Sequence, residues 1–368
     1  MRIALVTEFY YPHLGGVTEH VHNLALEFRR RGHHVVVITA NMRGQGPDPD
    51  WVRRVGTSRV VLSNGSYARV TTGWAITRKI AEILTAERIE VVHSQDVLAP
   101  MLGLKAASAA WRLGLPVVAT SHTWFSHSPL YRMFRWWLQP RLDRVDARIA
   151  VSAPVVHAMS MYFRADWEII PNGVDVGYFH PNGRRPMEAA RRGPRLLFLG
   201  RLDPRNGLDT LLEAMPMILE RHADARLVVV GDGPLRASYE RRAAHLGASV
   251  EFVGQVSDER PAYYGDADLY LCPTTKASFG ITLLEAMACG TPLVVSDITG
   301  FRELIAGGAE AVLVPKDNPL AWARAAGALI DDPARRQVMG AAGLAKAAQF
   351  AWPRVAERVL EVYERVRK

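Results

Sequence analysis

Residues 278–297, SFGITLLEAMACGTPLVVSD, hold a loop, a short helix and a buried strand within one short stretch. PLVVSD is the key to the fold, because ten other runs share its character. IALVTEF (3–9), HVVVITA (34–40), VVHSQ (91–95), PVVATSH (116–122) and ARIAVS (147–152) lie in the first half. RLLFLG (195–200), ARLVVVGDG (225–233), SVEFVG (249–254), DLYLCP (268–273) and AVLVP (311–315) lie in the second. Short β-branched runs alternating with helical segments predict parallel strands buried on both faces, joined by right-handed crossovers. Both halves carry the pattern, so two doubly wound α/β domains are expected. The Pro-, Gly- and Asn-rich stretch IIPNGVDVGYFHPNGRRP (169–186) reads as the linker between them.

Composition narrows the class further. A chain of 368 residues suits two domains, and 49% hydrophobic content is too high for disorder. No apolar run is long enough to span a bilayer, and the N-terminus, with an acid at Glu8, reads as a core strand rather than a leader. Two cysteines, Cys272 and Cys289, have no metal-ligand spacing and make a reducing cytoplasm the default. Net charge is +8, and residues 1–173 hold 20 Lys/Arg against 13 Asp/Glu. The first half is therefore expected to meet an anionic ligand or surface, although a general basic bias of the proteome reads the same way.

In doubly wound domains, ligands bind outside the carboxyl ends of strands, so residues just after strands matter most. Gly15 and Gly16 precede a helix and let backbone amides approach a phosphate, but they lack the G-x-G-x-x-G fingerprint and also read as a tight turn. His122 ends a strand, where it can bond a substrate hydroxyl or phosphate, or simply a loop carbonyl. Arg201 leaves the strand RLLFLG as a diphosphate contact or an ordinary ion-pair partner. Ser278, Phe279 and Gly280 lead into a helix whose first amides suit phosphate, and Glu285 on that helix suits paired ribose hydroxyls. Asp266-Ala267-Asp268 spells D-x-D but precedes a strand, so it is expected to be structural.

These motifs together resemble a family. Gly15-Gly16-Val17-x-x-His20, Ile170-Pro171-Asn172-Gly173-Val174-Asp175, Gly200-Arg201-Leu202-Asp203, Gly231-Asp232-Gly233-Pro234, Gly254-Gln255-Val256 and Ser278-Phe279-Gly280 with Glu285-Ala286-Met287-Ala288 are similar to the retaining glycosyltransferases of family GT4. The likeness covers essentially the whole chain. It implies a GT-B fold: two Rossmann-like domains facing each other across a deep cleft, with the last helix, within 351–368, crossing back to the first domain. Residues 1–173 would bind the acceptor and 174–350 the nucleotide sugar.

Within the family the chain looks most like phosphatidylinositol mannosyltransferases, since Asn64-Gly65-Ser66 with Arg69 is similar to their head-group loop. A turn before a strand is the plain reading of Asn-Gly-Ser. By resemblance, Asn64, Gly65, Ser66, Arg69 and Thr123 would bind the acceptor. His122 and Arg201 would be catalytic, His122 beside the transferred sugar and Arg201 on the departing diphosphate. Gly15, Gly16, Arg205, Asn206, Val256, Asp258, Lys276, Ser278, Phe279, Gly280, Ile281 and Glu285 would complete the donor site. The donor is expected to be GDP-mannose or a UDP-sugar, with no metal and no other cofactor.

Two positions depart from the family pattern. Asn206 stands where its members carry lysine, and Ala277 where they carry the first of two glutamates. Arg205 or Lys276 would then supply charge to the diphosphate. A homologue that binds nucleotide sugar or anionic lipid without efficient turnover is the alternative. The segment YRMFRWWLQPRLDR (131–144) interleaves arginines with tryptophans and suits either an anionic membrane surface or a helix packed on the core. The expected partners are thus a nucleotide sugar, a lipid or phosphorylated head group and an anionic membrane at its cytoplasmic face, not nucleic acid.

Overall fold

A computed structural model describes residues 1–368 apart from Leu14, 64–65, 99–100, Ser126, 182–192, Ser257, Ala306 and Lys368; for 61–63 and 66–68 it describes the backbone alone. The chain divides into two compact units, residues 1–172 with 352–368, and residues 173–351.

The first unit contains β1 (Arg2–Val6), β2 (His34–Asn41), β3 (Val52–Ser63), β4 (Ser66–Thr72), β5 (Val91–Gln95), β6 (Val117–Ser121), β7 (Ala147–Ala150) and β8 (Glu168–Ile169). They form one sheet in the order β4-β3-β2-β1-β5-β6-β7-β8. The central strands are buried because helices cover both faces, as their continuous apolar runs require. Strand order reverses between β1 and β5, and the loops after these strands and after β6 flank the crevice that such a reversal creates.

The runs singled out in the sequence, β1, β2, β5, β6 and β7, pair in parallel, and β3 and β4, outside those runs, form an antiparallel hairpin at the sheet edge. Their sequence mixes Val with Arg, Thr and Ser, and Thr57, Arg59 and Val60 are exposed, as suits the solvated edge of a sheet. The β2–β3 ladder joins the hairpin to the sheet, and Glu8 ties it further to the unit. The Thr71 hydroxyl donates to Glu8 Oε2, and the Leu102 amide donates to Glu8 Oε1 at 2.7 Å. Glu8 is 2% exposed, and burial pushes its carboxyl up from the usual range. Glu8→Ala leaves both donors buried without this acceptor and is expected to cost about 2–3 kcal/mol in chemical unfolding. Wild-type stability of that variant would contradict the clamp.

The C-terminal helix Trp352–Val366 belongs to this unit. Its Val355, Val359, Val362 and Tyr363 pack with Leu24 and Phe28 of helix Gly16–Arg30.

The second unit holds β9 (Arg195–Leu199), β10 (Arg226–Val230), β11 (Val250–Gly254), β12 (Leu269–Cys272), β13 (Leu293–Ser296) and β14 (Ala311–Val314). All pair in parallel, in the order β11-β10-β9-β12-β13-β14. Reversal between β9 and β12 sets the loop 200–207 beside the loop 273–280. Gly207 makes this approach possible. Its φ is +69°, and a Cβ there would run into the Pro273 carbonyl.

Candidate active site

In the second unit the two loops at the strand reversal are tied together. The Thr275 amide and hydroxyl both donate to the Arg205 carbonyl, at 2.8 and 3.1 Å. Arg201 and Arg205 are exposed on the first loop and Lys276 on the second. The Arg201 Nε lies 4.0 Å from Asp203 Oδ2, with 46% of the Arg201 side chain exposed. Three cations therefore border this reversal point, a suitable setting for a diphosphate.

Asn206 does different work from a lysine. Its Nδ2 donates to the Arg201 carbonyl at 2.7 Å, and the Thr274 hydroxyl donates to its Oδ1 at 3.4 Å. It braces the arginine loop instead of extending a charge. Ala277 is half-buried, and Gly300 packs directly against its carbonyl.

Helix Ile281–Ala288 starts at Gly280, whose φ of +110° no larger residue adopts comfortably. Phe279 turns into the core (7% exposed), while Ser278 and Ile281 are half-buried beside it. Glu285 is 2% exposed and already engaged. Arg260 Nη1 donates to Oε1 and Tyr264 Oη to Oε2, both at 2.9 Å. A ribose hydroxyl would thus add to a carboxylate fixed from behind, not find an unoccupied one. Arg260 and Tyr264 escaped the sequence reading, since DERPAYYG has no motif character and their partner lies 21 or more residues away. Val256 is half-buried and Asp258 exposed, in the loop leading to Arg260.

The D-x-D residues are fully used by the scaffold. Asp266 pairs with the Arg195 side chain, and Asp268 accepts the Arg195 amide at 2.9 Å. Among the described residues no group of three His, Cys, Asp or Glu is arranged to hold a metal.

In the first unit, His122 follows β6 and is 8% exposed. Its Nε2 lies 2.6 Å from Gln95 Oε1, and its amide donates to Asp96 Oδ1 at 3.0 Å. The His20 ring meets it edge-on, 4.7 Å between centroids. His93 lies close by, with Nδ1 2.6 Å from Tyr363 Oη and Nε2 2.7 Å from Thr120 Oγ1. Burial pushes all three imidazoles down, His20 to about 4, His93 to about 3 and His122 well below its usual value. Thr123, Gly15 and Gly16 are exposed at the same end of the sheet. Arg69, on β4, donates to Ser58 Oγ at 3.4 Å. Asn64 and Gly65 lie outside the described residues, as does the Ser66 side chain.

The histidines make stability pH-dependent. An unfolded imidazole takes a proton near pH 6.5, whereas folded His20 does so only near 4. The unfolded state binds more protons in that interval, so His20 draws stability away as pH falls through it, while Asp96 and Glu8, both raised, act in the opposite sense. The loss of unfolding free energy between pH 7.5 and 5 is expected to be about 2 kcal/mol smaller in His20→Leu than in the wild type. Parallel pH curves for the two proteins would contradict this.

Helix Pro129–Asp143 divides its residues between core and solvent. Leu138 and Leu142 are buried, and Arg141 stacks on half-buried Trp137 at 3.7 Å. Leu130, Met133, Phe134 and Trp136 are exposed, Trp136 by 72%, alongside exposed Arg132 and Arg135. Among the described residues no helix is long and apolar enough to cross a membrane.

Both units are doubly wound, with candidate residues gathered at their strand reversals, and comparison with known proteins identifies the class. The description of Glycosyltransferase Family 4 matches residues 14–178, and that of Glycosyl transferases group 1 matches 193–332. The chain belongs to the family 4 glycosyltransferases. It is 36% identical to the phosphatidyl-myo-inositol mannosyltransferase of Mycobacterium tuberculosis, over 100% of this chain and 97% of that protein. It is 34% identical to the protein of the same name from Mycolicibacterium smegmatis, over 100% and 94%. Among solved structures, a glycosyltransferase from Rickettsia africae superposes with a TM-score of 0.80, at 18% identity and covering 100% and 98% of the two chains. Anabaena HepE in complex with UDP and glucose superposes with a TM-score of 0.77, at 18% identity over 99% of each. The fold is accordingly that of GT-B enzymes.

Proposed function

We propose that the protein is a retaining glycosyltransferase that moves a hexose from a nucleotide sugar to a phosphoinositide-type lipid at the cytoplasmic face of a membrane. The observation that carries this reading is full-length similarity to phosphatidyl-myo-inositol mannosyltransferases, joined to three cations at the strand reversal of the second unit. GDP-mannose is the favoured donor, because a relative at 30% identity over 98% of the chain is named as GDP-mannose-dependent.

The second unit then binds the donor. Arg201, Arg205 and Lys276 neutralise the departing diphosphate, and the amides at 279–281 take its oxygens and those of the sugar. Glu285 holds the ribose, while Val256 and Asp258 border the base. As the glycosidic bond breaks, positive charge grows on the sugar and negative charge on the diphosphate; fixed cations and amides facing the latter stabilise the transition state by several kcal/mol. The first unit receives the acceptor, with Gly15 and Gly16 by the donor phosphate, His122 by the transferred sugar, and Thr123, Arg69 and the 64–66 turn for the head group.

Charge supports the division of labour. The first unit holds 25 Lys/Arg against 16 Asp/Glu, and the second 20 against 21. The basic unit also carries the exposed face of Met133, Phe134, Trp136, Arg132 and Arg135, suited to lying on anionic lipid. Replacing Trp136, Trp137, Arg132, Arg135, Arg141 and Arg144 together is expected to abolish sedimentation with phosphatidylinositol-containing vesicles. Retention of binding would rule out this face.

Asn206 and Ala277 support a second reading, in which donor or lipid binds without turnover. Incubation with GDP-mannose, UDP-glucose and UDP-N-acetylglucosamine on lipid extract separates the two. Transfer from one donor is the expected result, and tight binding of a donor with no turnover would establish the second reading.

A further inference from the structure

We propose that Gln95 and Asp96, consecutive at the carboxyl end of β5, are positioning residues that hold His122 so that its Nδ1 accepts a hydrogen bond from a hydroxyl of the transferred sugar. This rests on the transferase reading of His122, in which that residue meets the transferred sugar.

The ring is set by Gln95. With the Gln95 amide turned so that Oε1, which only accepts, faces the ring at 2.6 Å, the proton is assigned to His122 Nε2. A neutral imidazole has one N–H, which leaves Nδ1 as its acceptor atom. A glutamate in place of Gln95 would reach the same nitrogen but would draw a second proton onto the ring. An amide fixes the tautomer without fixing a charge.

The main chain is set by Asp96. Its amide donates to the Thr120 carbonyl at 2.7 Å and its Oδ1 accepts the His122 amide at 3.0 Å, so one residue binds both sides of β6's end. Asp96 has φ +52°, a left-handed conformation that costs a non-glycine residue about 1 kcal/mol. That strain is sustained where the chain turns to present Asp96 to His122.

The surroundings keep the ring uncharged. Packed about it are His20 from helix Gly16–Arg30, His93 from β5, Tyr363 from the C-terminal helix bonded to His93, and Asp96 with Tyr131 of helix Pro129–Asp143 in its field. Burial of the ring is what chiefly opposes a charge on His122, the two further imidazoles adding to it, and the Asp96 carboxyl is itself pushed up to about 7 by burial. A charge-assisted bond to phosphate is therefore unavailable at neutral pH, whereas accepting from a sugar hydroxyl needs only the lone pair on Nδ1.

The test reads the ring directly. In the full chain labelled with nitrogen-15 histidine, the His122 signals should show a neutral ring protonated at Nε2 from pH 8 to 5.5. In Gln95→Leu the tautomer preference should be lost, and in Gln95→Glu the ring should be an imidazolium at pH 7. With GDP-mannose and phosphatidylinositol as substrates, Gln95→Leu should lower kcat/KM about tenfold, the worth of one hydrogen bond. Gln95→Glu should be slow at pH 6 and recover as pH rises, over and above the pH dependence of the wild type, in which Asp96 also titrates. A wild-type ring protonated at Nδ1, or charged at pH 7, overturns the proposal even if transfer proceeds. The expected ring state with wild-type kcat/KM in Gln95→Leu also overturns it. Absence of transfer by the wild type, with the ring state as expected, instead overturns the transferase reading.

Discussion

Arg201→Ala is expected to slow transfer from nucleotide sugar by about 100- to 1000-fold, the usual consequence of removing one fixed group that faces transition-state charge. Its unfolding midpoint should stay close to that of the wild type. The two outcomes separate because the Arg201 side chain is nearly half exposed and its Asp203 contact is 4.0 Å, a geometry worth no more than about 1 kcal/mol to stability. Main-chain contacts also hold the loop in shape. Asn206 holds the Arg201 carbonyl and Thr275 holds that of Arg205. Steady-state kinetics beside thermal unfolding checks both halves of the prediction. Equal losses in kcat and in stability would make Arg201 a structural residue.

Glu285→Ala should behave in the opposite way, damaging stability and donor affinity together. The carboxylate is buried and is addressed by Arg260 from one side and by Tyr264 from the other. Removing it strands a partly buried guanidinium and a buried hydroxyl, at a cost of about 3 kcal/mol. Because Arg260 begins the helix that follows Val256 and Asp258, the same change should loosen the loop assigned to the base as well as remove the ribose acceptor. Glu285→Gln retains an oxygen for Tyr264 and should lose about half as much stability. Urea unfolding and calorimetric titration with GDP check the pair of variants. Wild-type affinity for GDP in Glu285→Ala would show that the carboxylate serves the scaffold alone.

What could be read from the sequence follows its physics. Strands buried on both faces announce themselves as apolar runs, and VVHSQ coincides with β5 from Val91 to Gln95. The β3–β4 hairpin is only partly legible: Asn64-Gly65-Ser66 read as a turn before a strand agrees with β4 starting at Ser66, but VRRVGTSRVVLS has neither a continuous apolar run nor a period of two, and two-residue β8 is too short to leave a pattern. Candidate residues that follow strands, such as His122 and Arg201, can be picked out from the sequence because strand ends predict where side chains converge. Their supports cannot. Gln95 meets His122 only through β5–β6 pairing, Arg260 meets Glu285 only because two helices pack together, and Thr71 meets Glu8 only through the hairpin. These are contacts between segments distant in the chain, and no local periodicity encodes them. Asn206 illustrates a different limit. As a missing lysine it looks like a loss, whereas in the fold it is the brace of the arginine loop.

The central claim is lipid glycosylation, and a single assay addresses it most directly. Purified protein is incubated with GDP-mannose and phosphatidylinositol in mixed micelles, and the lipid product is analysed by mass spectrometry and anomeric proton NMR. The account predicts a lipid carrying one added hexose in the α configuration of the donor, formed by the wild type and far more slowly by Arg201→Ala. A donor that binds but leaves the lipid unchanged, or a product with inverted configuration, would contradict it.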